Sequence, residues 1–135
     1  MVVTLIGSLL LLQALGLERT TTGSSLATTV LYSRTITLLV LVGPAEELIF
    51  RGVIQRGLRD TLGGWPSILI AGFVFGFGHI DLAATTPGDI LWLVALSGLG
   101  VILGWVYERT DNLVVPALAH GGFNSLTTTL PLLLG

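Results

Sequence analysis

Long apolar runs separated by short polar clusters organise this chain. Residues 2–17, 36–42, 67–77, 90–107 and 113–134 are predominantly aliphatic, aromatic or small. A bilayer core about 30 Å thick asks for roughly 20 apolar residues per helix, fewer where neighbours shield the segment. The pattern therefore predicts five membrane helices, over about 2–17, 35–58, 65–80, 90–107 and 113–134. The expected fold is all-α, a polytopic transmembrane helix bundle.

The punctuation between the runs supports this division. Residues 18–34 are rich in Thr, Ser and Gly and are predicted to form a polar loop. Asp60, Gly63, Gly64 and Pro66 mark a turn, with Pro66 placed to open the next helix. Residues 81–89, with Pro87 and Gly88, are predicted to be a second polar loop, and 108–112 a charged turn. Gly72 with Gly76, and Gly100 with Gly104, are spaced four apart, which lets helix backbones approach closely in a membrane. The organisation expected is an N-terminal membrane helix and loop over 1–34, followed by a core over 35–135. The first run lacks a basic n-region, so it is predicted to be a membrane helix and not a cleaved signal.

Composition sharpens the class. Of 135 residues 52% are hydrophobic and 10% charged, against about 25% charged in an ordinary soluble domain. Mean hydropathy is +0.90, so membrane lipid is an expected partner. Net charge is −2 and there is no basic run, which argues against nucleic acid. The absence of cysteine excludes disulfides, thiolate metal sites and a Cys nucleophile. Arg56, Arg59 and Arg109 lie at one set of turns, against Arg19 and Arg34 in the first loop. That split favours the former side as cytoplasmic.

Against this oily background six side chains stand out: Glu46, Glu47, Arg51, His79, His120 and Asn124. An ionised group near the bilayer centre costs at least about 2.5 kcal/mol and is usually kept for function inside a bundle. Glu47 and Arg51 are four apart and can pair on one helix face. Glu46 is turned about 100° away and so projects elsewhere. Two acids beside one such arginine leave one carboxylate over. His79 closes a glycine-rich helix, where a histidine often serves only as a cap. His120 and Asn124 share a helix face, and each could simply satisfy the other. The glycines between them, Gly121 and Gly122, suggest a close approach by a helix or a substrate.

Together the groups supply a carboxylate, two imidazoles and an amide. A carboxylate with a histidine can take a proton from water, and a second histidine with an amide can hydrogen-bond a developing oxyanion. The same Glu46, His79 and His120 also make three potential zinc ligands across three helices, with a fourth position for water. The zincin spacing of two histidines around a glutamate is absent. Ser97 and Ser125 are the serines available, and neither lies in a nucleophile elbow.

The motifs Glu46-Glu47-x-x-x-Arg51, Phe75-x-x-x-His79 and His120-x-x-x-Asn124, in that order on three hydrophobic stretches, resemble the CPBP intramembrane proteases. That family includes the type II CAAX prenyl endopeptidases and bacteriocin-processing and immunity-related membrane proteins. Residues 109–113, with Pro116 and Ala117, also look like the lead-in to its last motif. The resemblance implies a membrane protease that cuts a prenylated or membrane-proximal peptide in the cell membrane. It assigns Glu46 and His79 to water activation, His120 and Asn124 to the oxyanion, and Glu47 and Arg51 to support. No obligatory cofactor is expected; zinc held by Glu46, His79 and His120 is the alternative. Family members commonly have more membrane helices than this chain offers. A non-catalytic immunity or chaperone-like factor on the same scaffold is the competing reading, and a channel or transporter fragment a third. Neither substrate identity nor oligomeric state is legible in the chain.

Overall fold

The computed structural model describes residues 26–79 and 86–134, with side chains from 31 to 130. It is all-helical, with no strand among the described residues. The expected N-terminal helix over 2–17 lies outside them.

A single helical run spans residues 26–62. It comprises α1 (Leu26–Thr37), a π-helical segment (Leu38–Val42), α2 (Gly43–Glu47), a second π-helical segment (Leu48–Gln55) and α3 (Arg56–Leu62). The backbone stays right-handed helical through every junction. Pro44 explains part of the irregularity, since it has no N–H to donate and its ring crowds the carbonyl one turn back. The wider π turns on either side absorb the break; such turns are often found at functional sites. Gly63, at φ 82°, ends the run in a conformation that favours glycine.

Three helices follow: α4 (Gly64–Phe77), α5 (Pro87–Thr110) and α6 (Val114–Leu134). The predicted loop over 18–34 is corrected at its C-terminal end, where α1 already begins at Leu26. The polar Thr and Ser side chains there do not stop the helix, because it packs on α6. Thr35 Oγ1 lies 3.5 Å from Thr129 Oγ1, and Ser125 Oγ donates to the Thr35 carbonyl at 3.3 Å. The predicted loop over 81–89 is corrected at its own end. Thr86 and Asp89 form a reciprocal capping box that starts α5, with Pro87 in the first turn. Asp111 closes α5 in the left-handed region at φ 46°, a conformation Asp tolerates better than most residues.

The five-helix membrane bundle is not established. Among the described residues one helix, α5, is long and apolar enough to cross a membrane, while α4 is apolar but shorter. The reason lies in the other elements. The 26–62 run carries Glu46, Glu47, Arg51 and Gln55, and α6 carries His120, Asn124 and three threonines.

Glycines set the helix spacing. A Cβ on Gly72 would come within 2.8 Å of the Val101 nitrogen, and one on Gly100 within 2.8 Å of the Gly72 carbonyl. Helices α4 and α5 therefore touch backbone to backbone. Gly43 and Gly121 do the same for α2 and α6: a Cβ on Gly43 would lie 2.9 Å from the Gly121 nitrogen. This second contact brings the acidic pair of α2 beside the histidine of α6.

Candidate active site

The centre of the molecule is a buried ion pair. Glu47 and Arg51 are both fully buried; Arg51 Nε lies 3.1 Å from Glu47 Oε2, and Arg51 Nη1 donates to Glu47 Oε1 at 3.1 Å. The Arg51 fork reaches further, with Nη2 donating to the Gly100 carbonyl at 2.6 Å. Its face lies over the Phe75 ring, 5.1 Å from the centroid. A buried charge pair is tolerated only when its remaining donors and acceptors are also satisfied. Helices α4 and α5 supply those partners.

Glu47 does more than neutralise Arg51. The His120 ring places Nδ1 2.9 Å from Glu47 Oε1. With a carboxylate there, Nδ1 carries the proton, and Nε2 is the nitrogen turned toward the site. His79 is held in the same sense: its Nδ1 lies 2.7 Å from the Phe75 carbonyl and donates to it. The carbonyl belongs to the last turn of α4, so the capping role open to His79 is filled by one nitrogen, leaving Nε2 for another.

Both Nε2 atoms face Glu46. Glu46 Oε2 stands 3.6 Å from His79 Nε2 and 3.6 Å from His120 Nε2. The Glu46 side chain is 24% exposed, unlike its fully buried neighbour. That separation is just beyond a good direct hydrogen bond and within the reach of a bridging group. Phe75 sits between the partners as a fully buried spacer, its ring 4.7 Å from that of His79 and 5.3 Å from that of His120. Asn124, one turn beyond His120, is 2% exposed, and its Nδ2 has no protein partner among the described residues.

The serines lie elsewhere. Ser125 Oγ donates to the Gly121 carbonyl at 2.7 Å, and Ser97 is buried against Gly76. Of the glycines beside His120, Gly121 meets the Leu39 backbone, whereas a Cβ on Gly122 would have nothing within 4 Å. Among the described residues no group of three or more His, Cys, Asp or Glu side chains is spaced to hold a metal ion. Glu46, His79 and His120 thus form two close pairs without making a ready three-ligand set.

Gln55 escaped the sequence reading. It is fully buried and donates from Nε2 to the Gly104 carbonyl at 3.0 Å, one turn along from the Arg51–Gly100 bond. A signal existed: Glu47, Arg51 and Gln55 form a polar stripe at four-residue spacing on one helix face.

Residues 28–126 match the family described as type II CAAX prenyl endopeptidase Rce1-like. The chain belongs to that family. It is 30% identical over 93 residues, 68% of its length, to a Bacillus subtilis (strain 168) protein named "Putative membrane peptidase YdiL", and covers 35% of that protein. It is 34% identical over 87 residues, 63% of its length, to the uncharacterized protein YpbD of the same organism, covering 39% of it. The chain thus spans little more than a third of the length of these curated relatives. No solved structure matches it. Family membership and an apolar spanning helix make it a membrane protein.

Proposed function

We propose that this chain is an intramembrane endopeptidase of the cell membrane, acting on a prenylated or membrane-proximal peptide. Its helices would form a polytopic bundle around the Glu46 site. The observation that carries the reading is Glu46 Oε2 placed 3.6 Å from the Nε2 atoms of both His79 and His120. One carboxylate between two imidazoles whose other nitrogens are already bound is an arrangement suited to moving a proton.

In the proposed reaction a water beside Glu46 attacks the scissile carbonyl carbon as its proton passes to the Glu46 carboxylate. His79 Nε2, free to accept while Nδ1 donates to Phe75, holds that water in line. The carbonyl oxygen becomes an oxyanion and receives hydrogen bonds from Asn124 Nδ2 and His120 Nε2. With His120 Nδ1 already directed at Glu47, donation from Nε2 requires the doubly protonated ring. Collapse of the tetrahedral intermediate breaks the C–N bond, and the proton held by Glu46 goes to the departing amine. Glu47 and Arg51 keep His120 in place and do not touch the reacting atoms. Because the donor set does not gather three ligands, no step is routed through zinc.

The test is cleavage of a prenylated, membrane-tethered peptide by the purified chain in liposomes. Wild-type protein is expected to cut it, with activity surviving chelation. Glu46→Gln is expected to fold and lose the activity by roughly a hundredfold or more. Loss on chelation with recovery on added zinc would overturn the metal-free route. A Glu46→Gln protein that retains cleavage would overturn the role of Glu46. A wild-type chain that never cuts, yet protects cells as well as Glu46→Gln does, would instead support the immunity reading.

A further inference from the structure

A second polar site lies at the other end of the 26–62 run, where α3 meets the end of α5. The cleft has a volume of about 230 Å³. Gln55, Arg56, Arg59 and Asp60 line it from one side, and Tyr107, Glu108 and Asp111 from the other. It contains no residue of the Glu46 site and does not depend on the peptidase reading.

Its wall holds acceptors without donors. Gln55 is fully buried; its Nε2 is committed to the Gly104 carbonyl, and its Oε1 has no partner among the described residues. Glu108 accepts from Arg59 Nε at 2.9 Å through Oε1, while its buried Oε2 has no partner there either. Leaving such acceptors dry costs free energy, so the cleft calls for a group rich in N–H. Its charges point the same way: three acids, Asp60, Glu108 and Asp111, against two arginines. Arg59 is taken by Glu108, whereas Arg56 makes no ion pair among the described residues. A ligand that satisfies all of these carries a cationic N–H group and an anionic group together.

The location supplies the source. Trp65, next to Gly64, is 62% exposed, and a Cβ on Gly64 would lie 3.1 Å from Glu108 Oε1. Trp105 is also exposed, with the Arg109 guanidinium 5.3 Å above its ring. Exposed tryptophans beside arginines mark the level of lipid headgroups.

We infer that this cleft binds the headgroup of an aminophospholipid, with its primary ammonium on Gln55 Oε1 and Glu108 Oε2 and its phosphate on Arg56. A choline headgroup of similar size has no N–H to give, and a purely anionic headgroup would face three carboxylates. Ethanolamine lipid is therefore the ligand that the chemistry selects.

Native mass spectrometry of the full chain released from nanodiscs of phosphatidylcholine, doped with phosphatidylethanolamine or phosphatidylglycerol, reads this directly. Phosphatidylethanolamine is expected to be retained about tenfold over either competitor. Glu108→Gln and Arg56→Gln should each bring that preference near parity while the melting temperature in phosphatidylcholine holds. Asp111→Asn, which keeps the left-handed turn, should weaken it in the same direction. Equal retention of ethanolamine and choline lipids, or a preference untouched by all three variants, would overturn the assignment and leave a water-filled cleft. Free phosphoethanolamine stabilising the protein in detergent as strongly as the lipid does would overturn the lipid source in favour of a soluble ligand.

Discussion

Two glutamate–arginine pairs anchor the 26–62 run, and they live in opposite surroundings. Glu47 and Arg51 are fully buried, doubly contacted, and joined to His120 and the Gly100 carbonyl. Arg59 and Glu108 meet through a single contact at the polar end, with Arg59 51% exposed. Their separations are alike, at 3.1 and 2.9 Å. What differs is water. A pair that solvent can replace contributes little, whereas a buried charge deprived of its partner has nothing to turn to. The buried pair therefore fixes the site, and the exposed one only trims the end of the bundle.

Breaking the buried pair gives the largest expected effect. Arg51→Leu leaves Glu47 charged and uncompensated and should cost about 3–5 kcal/mol, read as a lowered unfolding midpoint in detergent. An unchanged midpoint would mean that Glu47 is not the buried partner described here.

The helix contact behind the site comes next. Gly121→Ala would drive a Cβ to 2.8 Å from the Leu39 carbonyl, so α1 and α6 must part. Overpacking of that kind costs about 1–3 kcal/mol. Gly122→Ala meets nothing within 4 Å and should be neutral or slightly stabilising, since alanine favours a helix. Thermal unfolding of the two single variants should separate these neighbouring glycines, and equal shifts would contradict the packing. Smallest of all, Arg59→Gln should cost less than about 1 kcal/mol. A loss as large as that of Arg51→Leu would erase the contrast between the two pairs.

Much of this was written in the sequence. The apolar runs gave the helices, and the four-residue spacing of Glu47 and Arg51 gave their pair. The rotation between adjacent helical residues separated Glu46 from Glu47. What spacing could not give was contact between distant helices. Nothing local says that His120 Nδ1 bonds Glu47 instead of Asn124, because that depends on how Gly43 and Gly121 bring α2 and α6 together. Glycine periodicity announced close approach without naming the neighbour: Gly72 faces Gly100 and Val101, and Gly104 makes room for Gln55. The start of α1 was hidden for a related reason. Threonines and serines that suit a loop are accommodated in a helix once a neighbouring helix supplies partners, as Thr129 and Ser125 do for Thr35.

The central claim is that Glu46 and His79 act on one water. Single-turnover cleavage of a prenylated peptide by Glu46→Gln, His79→Ala and the double variant, each confirmed folded, tests it most directly. Residues that work as a unit are not additive, so each single variant should lose roughly a hundredfold or more and the double little beyond that. Losses that multiply in the double variant, or a folded Glu46→Gln protein that cleaves at the wild-type rate, would contradict it.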